Sequence, residues 1–241
     1  MKKISVLLLF ILGSVVTIAQ KTGSKNSIDL SGRPSDHILM QISSDSWQNS
    51  PDSINSKSKG SSRGGNIYFM LDKPFKSNPH FSVAFGLGVG TSHIFFDKLN
   101  ADINGNTPIL KFNALDTSNY FKKYKLSASY VEIPVELRFS LHPSKPNQSF
   151  KIALGAKVGS LINAHSKGKT LKDAAGNTIN DYTEKISSKS YFNNRRIAAT
   201  ARVGYGIFSV FGAYNISSSI FKDKVAANTK LLQVGLTISG L

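Results

Sequence analysis

"YVEIPVELRFSL", residues Tyr130 to Leu141, decides how this chain folds. Val131, Ile133, Val135, Leu137, Phe139 and Leu141 alternate with slots that hold Glu132, Pro134, Glu136 and Arg138. Successive side chains of a strand point to opposite faces, so one face here is apolar and the other carries two acids and a base. In a soluble barrel or sandwich the apolar face turns to the core. In a barrel that crosses a membrane it turns outward and the charges line the lumen.

The same alternation recurs seven more times, which predicts eight strands: Asp36 to Asp45, Gly65 to Lys73, His80 to Phe95, Tyr124 to Leu141, Phe150 to Asn163, Arg196 to Tyr205, Ile207 to Ile216 and Lys230 to Leu241. The third sets Phe81, Val83, Phe85, Leu87 and Val89 against Ser82, Ala84, Gly86, Gly88 and Gly90. No helical stripe of useful length appears beyond the first twenty residues. The connectors alternate between long ones, such as "WQNSPDSINSKSKGSSR", and short ones, such as "PFKSNP" and "HPSKPNQS". Short turns on one side and long loops on the other predict an all-β, eight-stranded, antiparallel up-and-down transmembrane β-barrel over residues 36–241. An even strand count returns both barrel ends to the periplasm.

Residues 1–20, "MKKISVLLLFILGSVVTIAQ", have two lysines, an apolar run and a small-residue site, the layout of a signal peptide for export. Residues 21–35 read as a flexible lead-in with Gly23, Gly32 and Pro34. No later apolar run approaches the roughly 18 residues that a spanning helix needs. The chain has 30 Lys and Arg against 14 Asp and Glu, and no cysteine, which excludes disulfides and thiolate metal sites. An exported basic chain meets lipopolysaccharide phosphates rather than nucleic acid, and its lysines are dispersed, so no compact electrostatic footprint is expected.

Three features favour a lumen on the polar face. Small residues on that face suit a crowded bore. The face also carries both signs of charge: Asp45, Asp72, Glu132 and Glu136 with Arg138, Lys151, Lys157, Arg196 and Arg202. Buried charges need such partners, and Lys157 is the expected partner of Glu132 or Glu136. The structural cluster expected in the lumen is Glu132, Glu136, Arg138, Lys151, Lys157 and Arg202. Finally, Trp47, Phe75, Phe81, Phe95, Tyr124, Tyr191, Tyr205 and Tyr214 lie near strand ends, as aromatic girdles would. Pro134 cannot donate to a ladder, which predicts a bulge at that position.

The segments "SRGGNIYFMLDKPF", "HFSVAFGLGVGTSHIFF" and "YVEIPVELRF", with Glu132, Ile133 and Pro134 as the most distinctive piece, resemble the PorT-type outer-membrane barrel family of Gram-negative bacteria. The resemblance runs from about Asp36 to Leu241 and implies eight strands and, for some members, service to the type IX secretion system. Such barrels often finish on an aromatic residue, whereas this sequence finishes on Leu241.

Chemistry-bearing motifs are sparse. Gly86, Gly88 and Gly90 lack the GxGxxG spacing and a following helix. The glycine of "DINGN", Asp102 to Asn106, falls too early for a calcium loop. Of the five histidines only His93 is placed where a surface catalytic group would sit, and Ser92 beside it points the other way. The expectation is a non-enzymatic outer-membrane protein without cofactor or metal, an envelope anchor, adaptor or secretion accessory. It would contact outer-membrane lipid, lipopolysaccharide phosphates or an envelope protein. The alternatives are a narrow channel or small-ligand binder and an outer-membrane hydrolase.

Overall fold

The computed structural model describes residues 37–217, 219–222 and 228–239. The expected signal peptide, the expected lead-in, Asp36 and the last two residues of the expected eighth strand lie outside the described residues. In chain order the strands are β1 (Ile38–Gln48), β2 (Arg63–Pro74), β3 (Phe81–Phe96), β4 (Leu99–Ala101), β5 (Phe112–Ala114), β6 (Tyr120–Ser140), β7 (Phe150–Lys172), β8 (Thr178–Ser187), β9 (Arg195–Tyr205), β10 (Phe208–Asn215) and β11 (Lys230–Ser239).

Eight of them, β1, β2, β3, β6, β7, β9, β10 and β11, pair antiparallel in sequence order, and β11 returns to pair with β1. The sheet is therefore a closed ring with no free edge strand, the arrangement that lets backbone groups pair internally. The eight expected strands are these eight. Three short or polar strands escaped the alternation pattern: β4 and β5 form a hairpin in the loop after β3, and β8 pairs with the far end of β7 beyond the ring.

The alternation sorts faces as expected. Ile42 is 68% exposed and Leu154 60% exposed, and Ile67, Leu87, Ile133, Val210 and Leu236 stand outward with them. Their sequence neighbours Ser43, Asn66, Glu132, Ser209 and Thr237 are buried in the lumen. A soluble sandwich would bury the first set and expose the second.

Two expectations need correction. No register shift occurs at Pro134: the β3–β6 ladder has the same register before and after it, with the pairing lapsing opposite Gly86 and Leu87, while Pro134 stays in register with Lys157 on β7. A one-sided lapse accommodates the missing donor without an extra residue. The bulge lies between Ser129 and Tyr130, where β7 inserts Ile162. The second correction concerns the aromatic residues. Phe75, Phe81, Tyr205 and Tyr214 are exposed near strand ends, and Phe95 is half-buried, but Trp47, Tyr124 and Tyr191 are buried. Trp47 is an odd number of residues from outward-facing Ile42, and Tyr124 from outward-facing Val131, so strand parity turns both rings inward.

These rings build an apolar cap in the loop-bearing half of the barrel. The Trp47 ring packs 5.4 Å from Phe96 and edge-on against Phe221 at 5.2 Å. Ile54 from the first long loop, Leu99, Ile103 and Leu110 from the second, and Phe192 from the third complete it. Tyr124 Oη donates to the Ala101 carbonyl and accepts from the Ala101 N–H, both at 3.0 Å, which pins the β4–β5 hairpin over the bore. The Gly105 carbonyl of the "DINGN" turn accepts from Tyr191 Oη at 2.6 Å.

Candidate functional site: the charged lumen

Below the cap the bore becomes ionic, because inward parity on β6 runs from Leu126 and Tyr130 to Glu132, Glu136 and Arg138. Glu132 is 0% exposed. Its Oε1 accepts from Arg196 Nε at 2.8 Å and lies 2.6 Å from Arg196 Nη2. Its Oε2 accepts from Tyr68 Oη at 2.5 Å and lies 3.2 Å from Lys157 Nζ. Lys157, 1% exposed, also donates to Tyr68 Oη and to Gln233 Oε1, each at 3.2 Å. Gln233 Nε2 then reaches the Asp45 carboxylate at 3.2 and 3.3 Å, and Ser43 Oγ donates to the same carboxylate at 2.5 Å. A continuous chain thus runs across the bore from Arg196 to Ser43.

A second tier sits nearer the short turns. Glu136 Oε2 accepts from Arg138 Nε and Arg202 Nη2, both at 2.9 Å. Arg138 Nη1 also approaches Asp72 Oδ1 at 3.9 Å. In the first tier, the Arg196 guanidinium stacks 4.1 Å from the centre of the Tyr130 ring, where the charged lumen meets the apolar cap. Glu132, Glu136, Arg138, Lys157 and Arg202 therefore meet in two adjoining groups. Lys151, the sixth, is half-buried on β7 next to the short turn, in register with Ser140 and Gly204.

Glycines make the room that these side chains fill. Glu132 is in register with Gly88 on one side and Gly159 on the other. A Cβ on Gly90 would lie 2.4 Å from Glu132 Oε2, and one on Gly159 would lie 3.2 Å from Arg196 Cγ. Sequence reading missed Tyr68, Gln233, Gln41 and Asn66 as members. Tyr68 hides in the apolar run "IYFML", where only its inward parity, opposite to Ile67 and Phe69, reveals it. Asn66 donates to Gln41, which donates to Thr237, and these neutral polar groups continue the lumenal network across β2, β1 and β11.

Two lumenal cavities among the described residues hold about 20 Å³ each, one beside Trp47 and Arg196 and one beside Tyr68 and Arg202. That is room for about one water molecule apiece. No group of three or more metal-ligating side chains occurs among the described residues. No helix among them is long and apolar enough to cross a membrane, which leaves crossing by strands open.

A family profile described as outer membrane protein beta-barrel domain matches residues 37–222. The chain belongs to this outer membrane β-barrel family. Among solved structures it is similar to Ail, the attachment invasion locus protein of Yersinia pestis. One Ail structure, in complex with the heparin analogue sucrose octasulfate, matches at 12% identity over 84% of this chain and 94% of that one, with a TM-score of 0.34. A second crystal structure of Ail matches at 12% identity over the same shares, with a TM-score of 0.35. Comparison with curated proteins gives no match. As an outer membrane β-barrel, the chain presents Ile42, Leu154 and their row-mates to lipid and keeps the ions in the bore.

Proposed function

We propose that this outer membrane β-barrel is a non-enzymatic anchor or adaptor of the envelope, an accessory to a secretion machine of the type IX kind. Its lumenal ions act as structural cross-braces rather than as a transport path. The observation that carries this reading is the crowded bore, in which side chains of opposite charge pair and two cavities among the described residues have room for about one water molecule each. A crowded bore makes the loops the working surface, and the aromatic cap fastens those loops to the barrel. The PorT-type resemblance of "YVEIPVELRF" supports the secretion role, and the even strand number supports a topology with both ends in the periplasm.

The contact between His93 and Ser127 on the outer wall does not favour a hydrolase. His93 Nδ1 lies 2.8 Å from Ser127 Oγ, but Ser127 is 1% exposed and the charged groups acting on His93 are Lys125, His165 and Arg63. A Ser–His pair needs a carboxylate to stabilise the imidazolium, the opposite of this cationic setting.

Mass measurement of the complex extracted from purified outer membranes in mild detergent tests the proposal. A stoichiometric assembly with an envelope protein is expected. A lone barrel that gives conductance steps in a planar bilayer would overturn it.

A further inference from the structure

Lysines that are scattered in sequence are gathered by strand register, which corrects the expectation that no compact footprint exists. Above the apolar belt, β8 takes the place beside β7 that β9 holds lower down, so β2, β3, β6, β7 and β8 form one continuous outer wall. One row across it reads Phe95, Lys125, Lys167, Lys185. The next row toward the belt reads Arg63, His93, Ser127, His165, Ser187, and the next away from it pairs Lys123 with Lys169 and Thr183. None of these three rows contains a carboxylate. Glu184 of β8 is in register with Gly168 and belongs to the opposite face.

Neighbouring strands are about 4.8 Å apart, and like charges set directly opposite one another destabilise a sheet. Lys125 feels Lys167, Arg63 and Lys185 together. Its ammonium and the Arg63 guanidinium both lie over the Phe95 ring, at 5.7 and 5.4 Å, so the π faces of one side chain attract two cations. Beside them opens a cleft of about 500 Å³ whose lining includes Lys59, Arg63, Asp97, Lys122, Lys123 and Lys172 together with the Phe95 and Tyr120 rings. Its one acid is already paired, with Asp97 Oδ1 2.9 Å from Lys59 Nζ.

Four residues below His93 and Ser127 stand Val89 and Val131, the upper end of the lipid-facing belt, about 13 Å along the strands. A molecule that satisfies both zones has acyl chains below and a phosphate above. We propose that this wall binds the phosphorylated headgroup of an outer-leaflet glycolipid, with its phosphates spread along the row of Arg63, Lys125, Lys167 and Lys185 and its sugar against the cleft. The assignment rests on the outer-membrane placement of the barrel and on the proposed orientation with both ends in the periplasm, and it moves the expected phosphate contact from the loops to the sheet itself.

The test uses the full chain in neutral phosphatidylcholine nanodiscs doped with phosphorylated lipid A or with the same lipid dephosphorylated. Native mass spectrometry counts the lipid A retained on release. Wild type is expected to retain the phosphorylated form selectively. The triple variant Lys125→Gln, Lys167→Gln, Lys185→Gln is expected to retain it about ten-fold less, as the loss of a few exposed charge pairs implies. The triple variant Lys73→Gln, Lys76→Gln, Lys145→Gln, at the opposite rim, should match wild type. Retained heat-modifiability on gels shows that each variant is folded.

Equal retention by the first triple variant, or of dephosphorylated lipid A, would overturn the proposal. So would displacement by soluble inositol hexakisphosphate as effective as that by lipid A, since the occupant would then be a free polyanion. A negative result here leaves the adaptor reading intact, and failure to find an assembly partner leaves this measurement intact.

Discussion

Glu132 and Arg196 sit on β6 and β9, two strands that are not paired with each other, yet their side chains meet at 2.6 Å. Gly159 on the intervening β7 is in register with both, and its lack of a side chain lets the ion pair pass over it. Cross-braces of this kind tie non-neighbouring staves of the barrel, and the second tier repeats the device where Arg202 on β9 reaches Glu136 on β6.

Removing the acid strands two cations. Glu132→Gln leaves Arg196 and Lys157 facing each other in the bore and should cost about 3–5 kcal/mol. Urea unfolding in lipid vesicles measures it. Pairing that change with Lys157→Met should recover part of the loss, because the second uncompensated charge is gone; a strictly additive double variant would argue against the coupling.

Filling the space under the brace should also weaken the barrel. Gly90→Val sets carbon 2.4 Å from Glu132 Oε2 and should destabilise by about 1–3 kcal/mol through overpacking. Gly60→Ala, in a loop where a Cβ meets nothing within 4 Å, should leave the unfolding midpoint unchanged. Similar shifts for the two would contradict the packed-lumen account.

The face assignment has its own test. Leu154→Arg places a charge at an outward, 60% exposed position of β7 and should cost about 2–4 kcal/mol in a bilayer, less in detergent micelles. If folding efficiency into vesicles did not fall, Leu154 would not be facing hydrocarbon.

The β7–β8 hairpin offers a readout of topology. Its turn, closed by the Gly176 N–H to Asp173 carbonyl bond at 3.0 Å and by Asn177 N–H donating to Asp173 Oδ1, is exposed and flanked by Lys169, Lys172 and Lys185. Those Asn177 hydrogen bonds hold the Asp173 carboxyl below its usual range, so the turn keeps its charged acceptor further into acid than a free aspartate would. Trypsin added to intact cells should nick this hairpin while the barrel stays whole. Cleavage only after the envelope is opened would reverse the proposed orientation.

The barrel was legible because eight segments alternate cleanly, and alternation reports directly which residues share a face. Trp47 and Tyr124 show where the same rule was available but position near a strand end suggested a girdle. The cap was harder to read: Leu99, Ile103 and Leu110 lie in a connector with no period, and they are buried only because the β4–β5 hairpin folds back over the opening. β8, "TINDYTEKIS", is exposed on both faces except at Ile186, so it has no amphipathic signature. Most of the lumenal ions were evident as residues on the polar face. Their grouping into two tiers depends on register across three strands, as does the row Lys125, Lys167 and Lys185, and register is a long-range property that no local window contains.

Trp47 is the chain's sole tryptophan, and it stands where the hydrophobic lid closes over the ionic bore. Ultraviolet emission from this one indole therefore reports the lid and nothing else. Loosening the loops would shift that emission to the red while the circular dichroism of the staves stayed unchanged, so the molecule carries its own dye at the junction between its two halves.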